Sequence, residues 1–186
     1  MGCDNSKRDI VEEDEEHCYA DEFSEHQIDS IKSTWPILSR DRQKTGVDFF
    51  RNIFNAEPVV KAMFKKDRTI SDDQLLNSSE FLKHVDNFMS ALDNVIDLLE
   101  YNTVETQHSL IVLGAKHATF HGFKEEFFTL YSKCMIDTWE SVIGEEFIEE
   151  VKESWEMFIM YITRYMRQGF VIYLQDTKTQ DETIVY

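Results

Sequence analysis

The chain has 186 residues, 42% of them hydrophobic and 14 of them phenylalanine, with only six glycines and two prolines. That is enough apolar material for one compact domain with tails, and too few turn residues for a sheet protein. A net charge of −17 excludes nucleic acid as a partner, because a phosphate backbone needs a basic surface; it favours solubility and suits a basic partner. The three cysteines, Cys3, Cys18 and Cys134, are widely spaced and form no CxxC or metal-knuckle pair, so a reducing compartment and no required disulfide are expected. No apolar run approaches the roughly 20 residues of a membrane span, and no apolar secretory segment stands near Met1.

The first residues, Met1-Gly2-Cys3-Asp4-Asn5-Ser6, fit the N-myristoylation pattern, with Gly2 as acceptor and Cys3 as a candidate for palmitoylation. One myristoyl chain holds a protein only marginally, so a second acyl group beside it has a physical purpose. Lys7 and Arg8 add some attraction to anionic lipid, but the acidic run Glu12 to Glu16 follows. The bland alternative is a short acidic tail with a chance match. The expectation is a chain on the cytoplasmic side of a membrane, the plasma membrane first, and otherwise cytoplasmic. Residues 1–22 read as a solvated tail, 23–173 as the folded domain and 174–186 as a flexible polar end.

Periodicity predicts an all-α chain of about seven helices. Ser24 with Gln27 forms a capping-box pattern ahead of Ile28, Ile31, Trp35 and Leu38, with Pro36 expected to kink or shorten that helix. A second helix is expected from about Arg40 to Phe54, burying Val47, Phe50 and Phe54. Pro58 opens a short turn of helix ending near Phe64, and residues 65–78 read as the longest internal loop. The clearest amphipathic pattern follows a Ser78 or Ser79 cap: Phe81, Val85, Phe88, Leu92, Val95 and Leu99. The next helix carries Leu110-Ile111-Val112-Leu113 and ends near Gly122. Two long helices close the domain, at about 124–142 and 145–173, broken at Gly144.

Two histidines fall on the apolar faces. His84 lies three residues after Phe81 and four before Phe88; His117 lies one helical turn after Leu113. A lone histidine at such a place is more often a satisfied core residue than a ligand. Two of them amid phenylalanines, which do no acid–base chemistry, suit a dry slot for a flat apolar cofactor held by imidazole, as haem requires. His17, His26 and His108 read as solvated, Cys134 as a small buried hydrophobe, and the Asp/Glu runs as solvated faces.

Over residues 23–171 the sequence resembles a globin. Trp35 stands where that family places the tryptophan of its first helix. Pro58 followed by Phe64 matches the opening of the third helix and the phenylalanine that stacks on haem. Ser79-Glu80-Phe81-Leu82-Lys83-His84 matches the start of the distal helix, and Leu113-Gly114-Ala115-Lys116-His117 the proximal segment. The L-G-x-x-H form and the Gly-Cys start are similar to neuroglobins and globin X.

The resemblance implies a globin fold of seven to eight helices around haem b. It implies His117 as proximal iron ligand, its ring oriented by the carbonyl of Leu113, and His84 as distal ligand. Phe64 would pack on the porphyrin, and Phe50 would stand in the distal pocket. Phe88 takes a position usually aliphatic and would narrow the space above the iron; Asn87 replaces a residue often basic in neuroglobins. The join after His117 is one residue longer and adds His121, the one rival proximal ligand.

The implied function is a six-coordinate, bis-histidyl haem protein acting in electron transfer, redox or O2/NO sensing beside a membrane. Its candidate ligands are O2, NO and CO, its partner a reductase or redox protein. The alternative is a five-coordinate O2 carrier or store, in which His84 donates a hydrogen bond to the bound gas. A haem-free scaffold is the third reading. Enzymatic activity is limited to haem-based redox chemistry such as nitrite reduction or NO dioxygenation.

Overall fold

The computed structural model describes residues 23–65, 69–101 and 104–183. Gly2, Cys3 and the rest of the acidic start lie outside them. Among the described residues there are eight α-helices and no strand: α1 Glu25–Ser39, α2 Arg42–Ala56, α3 Pro58–Phe64, α4 Asp72–Leu76, α5 Ser79–Asp97, α6 Val104–Ala118, α7 Glu126–Ile143 and α8 Glu149–Thr183. None is long and apolar enough to cross a membrane.

Local sequence starts most of these helices. Ser24 accepts from the Gln27 amide while Gln27 reaches back to the Ser24 amide, closing the capping box; such a cap contributes about 1 kcal/mol. Ser78, not Ser79, caps α5. Pro36 sits inside α1, which continues to Ser39. Gly144, at φ +68°, ends α7 in the left-handed region that a side chain would strain.

Four boundaries differ from expectation. The polar stretch 65–78 contains α4, nucleated by a second capping box, Ser71 with Gln74. Its one buried side chain, Leu75, fastens it to the core. The break before the last helix is longer, with a 3-10 turn at Gly144–Glu146 and α8 beginning at Glu149. At the other end α8 runs past Tyr173 to Thr183, because its polar residues lack a helix stop. His117 lies in the last turn of α6, which closes at Ala118, four residues before Gly122.

The core joins Ile31 and Leu38 of α1, Phe49, Phe50 and Ile53 of α2, Phe81, Val85 and Met89 of α5, Phe128 and Trp139 of α7, and Trp155 and Phe158 of α8. Val47, expected inside, is half-buried, and its neighbour Phe49 takes the core position. One crossing is closer than side chains allow. A methyl group on Gly114 would meet the Met166 carbonyl oxygen at 1.8 Å, and one on Gly169 would meet that of Ile111 at 1.8 Å. The backbones of α6 and α8 therefore touch, each through the other's glycine, three residues ahead of His117.

Candidate functional site

α5 and α6 bring the two histidines to one aromatic pocket. His84, half-buried, is flanked by Phe50, with ring centres 5.1 Å apart, and by Phe64 at 5.0 Å, both edge-on. Phe50 also meets Phe81 at 5.6 Å and Phe88 at 5.5 Å. Phe88 lies flat on Phe49 at 4.7 Å, a stacked pair that draws its ring toward α2.

On the α6 side the Nδ1–H of His117 donates to the Leu113 carbonyl at 2.8 Å. That bond fixes the neutral tautomer and leaves the Nε2 lone pair uncommitted. Phe123 at 5.2 Å and Phe120 at 5.8 Å surround the ring, with Phe128 at 6.3 Å. Phe123 in turn touches Phe128, Tyr131 and Phe170. Phe120, Phe123 and Phe128 adjoin His117, and Phe49 backs Phe50 and Phe88, although the sequence singled out none of them for the site. The signal was present in the close repeat Phe120, Phe123, Phe127 and Phe128, but spacing alone does not tell pocket wall from ordinary core.

The electrostatics follow from burial. His84 is lowered from 6.5 to about 4, first by desolvation, then by the facing charge of His117 and by Lys116. His117 is also lowered by burial, partly offset by its bond to Leu113, with Lys116 adding to the lowering. Each imidazole is therefore neutral at physiological pH. His121 is exposed, as are Asn87, His26 and His108, so His121 does not share the pocket with His84 as His117 does. Cys134 is buried, and burial raises its thiol pKa, as befits a small hydrophobe.

The donor set fits haem. Among the described residues no group of three or more His, Cys, Asp or Glu side chains could hold a bare metal ion. Haem brings four nitrogens of its own and needs only axial imidazole. No described hydrogen bond uses either nitrogen of His84 or the Nε2 of His117, so these lone pairs are open to an axial partner. An open groove of about 730 Å³ between α7 and α8, with Lys133, Glu156 and Arg164 among its walls, contains neither histidine. It is mixed in charge and solvent-facing, and we place no chemistry there.

Comparison with known proteins gives the family and the fold. Residues 47–166 match the globin family. A neuroglobin of Danio rerio is 24% identical over 152 residues, spanning 81% of this chain and 94% of that protein. An anaerobic nitrite reductase of Physcomitrium patens is 27% identical over 136 residues, 72% of this chain and 74% of that one. Among solved structures, a hexacoordinated haem protein from an anhydrobiotic tardigrade at pH 4 has the same fold, with a TM-score of 0.72 at 22% identity over 80% of this chain and 95% of that chain. The family match spans well over half of the chain and includes both pocket histidines, all the helices around them are in place, and the chain belongs to the globin family.

Proposed function

We propose that the chain is a six-coordinate haem protein, with His117 as proximal and His84 as distal axial ligand of haem b. The observation that carries this reading is the pair of neutral imidazoles, from α5 and α6, both within reach of the Lys116 charge, with His84 also feeling His117, and each with an uncommitted nitrogen. Bound haem supplies reversible one-electron chemistry and a site for O2, NO or CO.

The chain's own residues do the rest. Leu113 orients His117 through Nδ1 and raises the basicity of Nε2. Burial keeps His84 unprotonated down to about pH 4, so its lone pair is available over the physiological range. Phe50 and Phe64 meet the His84 ring edge-on and fix its position. Phe88 fills space beside Phe50. An outside gas must compete with His84, which favours electron transfer, redox or gas sensing over bulk storage.

The likeness to proteins named neuroglobin and hexacoordinated haem protein supports this assignment, and the likeness to an anaerobic nitrite reductase supports nitrite among its redox substrates. The Gly2-Cys3 pattern supports attachment to the cytoplasmic face of the plasma membrane, and the net charge of −17 a basic redox partner. Rapid mixing of the ferrous protein with CO tests the coordination. The expected course is a rate that levels off at high CO, limited by His84 leaving, and that becomes linear in CO in His84→Ala. A rate linear in CO for the unaltered protein would instead support the five-coordinate O2 carrier. Intact mass after expression in a eukaryotic host tests the lipid: mass gains at Gly2 and Cys3 are expected, and an unmodified Gly2 would contradict it.

A further inference from the structure

All three tryptophans of the chain stand in one line that begins at the histidine pocket. From His84, the ring of Phe50 is 5.1 Å away, and Phe49 is 5.0 Å beyond it. Trp139 follows at 6.3 Å from Phe49, Trp155 at 6.0 Å from Trp139, and Trp35 at 6.2 Å from Trp155. Trp139 and Trp155 are wholly buried; Trp35, at 8% exposed, is the outermost of the three. Core packing asks for aromatic volume, which phenylalanine supplies elsewhere in this chain. Indole differs from phenyl in giving up an electron readily.

The partners of the indole N–H groups change in order along the line. Trp139 Nε1 is buried with no acceptor. Trp155 Nε1 donates to Thr34 Oγ1 at 3.0 Å. Trp35 Nε1 donates to Asp93 Oδ1 at 2.7 Å, and Arg42 pairs with the other carboxylate oxygen. An acceptor at N–H stabilises the positive charge left when an indole loses an electron, and an anionic acceptor does so most. The oxidised state is thus least stable at Trp139 and most stable at Trp35. The gradient points outward, to a carboxylate whose side chain is 32% exposed. The competing branch is Tyr131, 6.4 Å from Phe49. A phenol sheds its proton when oxidised, and burial makes the Tyr131 hydroxyl hold that proton more tightly.

We propose that Trp139, Trp155 and Trp35 form a relay that carries an oxidising equivalent from the haem site to the surface when a hydroperoxide is reduced there. The relay rests on haem binding in the histidine pocket, and not on whether His84 binds the iron. Reduction of ROOH to ROH and water consumes two electrons and two protons. One electron comes from the haem group and one from the relay; both protons come from solvent. The electron finally missing is that of Trp35, whose Nε1 proton passes to Asp93, leaving a neutral indolyl radical. One equivalent of an enediol reductant such as ascorbate then returns that electron, with Asp93 returning the proton, and a second equivalent returns the electron taken from the haem group.

The test is one equivalent of hydrogen peroxide added to the ferric holoprotein, with freeze-quench electron paramagnetic resonance and peptide mapping of oxygen adducts by mass spectrometry. A tryptophanyl signal and adducts concentrated on Trp35 are expected. Trp155→Phe should abolish the Trp35 adducts with the Soret band unchanged, Asp93→Asn should move the radical off Trp35, and Tyr131→Phe should change neither. Adducts on Tyr131 or Cys134 with none on Trp35 would overturn the relay, as would Trp35 labelling that survives Trp155→Phe. The map of the unaltered protein decides the matter even if a variant folds poorly. A Soret band before peroxide is added makes an unlabelled Trp35 count against the relay, not against haem binding.

Discussion

His84 and His117 share a pocket but differ in what their nitrogens do: His117 spends Nδ1 on the Leu113 carbonyl, and His84 spends neither nitrogen. Burial lowers both pKa values, so the unfolded chain takes up protons before the folded one as pH falls. Stability is intact above 6.5 and is lost as the pH drops from there towards about 4. For the haem-free protein we predict a fall in the urea midpoint across that window, and a shallower fall in His84→Gln, measured by circular dichroism. An equal slope in both would show that His84 is not buried neutral. Phe50 is the ring that touches the most site residues, His84, Phe64, Phe81 and Phe88 among them. Phe50→Ala should destabilise the fold by about 4 kcal/mol and speed haem transfer to an apo-globin acceptor; an unchanged transfer rate would deny Phe50 its place at the cofactor.

The helix that carries His117 is positioned by backbone contact with α8. Gly114 faces the Met166 carbonyl and Gly169 faces that of Ile111, each with no room for a methyl group. Gly114→Ala or Gly169→Ala must therefore push α6 away, at about 3 kcal/mol or more for overpacking. We predict that either substitution lowers the melting temperature and, when combined with His84→Ala to leave the ferrous iron five-coordinate, shifts the iron–histidine stretching band in resonance Raman spectra. A lower melting temperature with an unshifted band would mean that the crossing supports the fold without setting His117. This closeness was not legible in the sequence, where Gly114 reads only as part of the proximal motif. The amphipathic helices were legible because their apolar spacing is regular: α5 from Phe81 to Val95 is the clearest case. α4 was not, since five residues show no period, although the Ser71-Asp72-Asp73-Gln74 pattern held a capping box. The choice of Phe49 over Val47 for the core depends on α5 and α7 lying across α2, which no local pattern records.

For the whole molecule, the charge of −17 and the buried haem site make opposite demands. The surface repels anions and would attract cations, while the rings around the two histidines carry no charge. Electron exchange with a cationic redox protein should slow several-fold as ionic strength rises from about 0.01 M to about 0.15 M, where the screening length shrinks from roughly 30 to 8 Å; a salt-independent rate would exclude charge steering. The pairing of His84 with His117 was legible because both lie on apolar faces, one turn from a core residue. The rings around His117 and the line of tryptophans were not, because they meet across α1, α2, α7 and α8. The central claim is that both imidazoles hold the iron. The absorption spectrum of the oxygen-free ferrous protein tests it most directly: sharp, split low-spin visible bands are predicted, giving way to one broad high-spin band in His84→Ala. A broad high-spin band in the unaltered protein would contradict it.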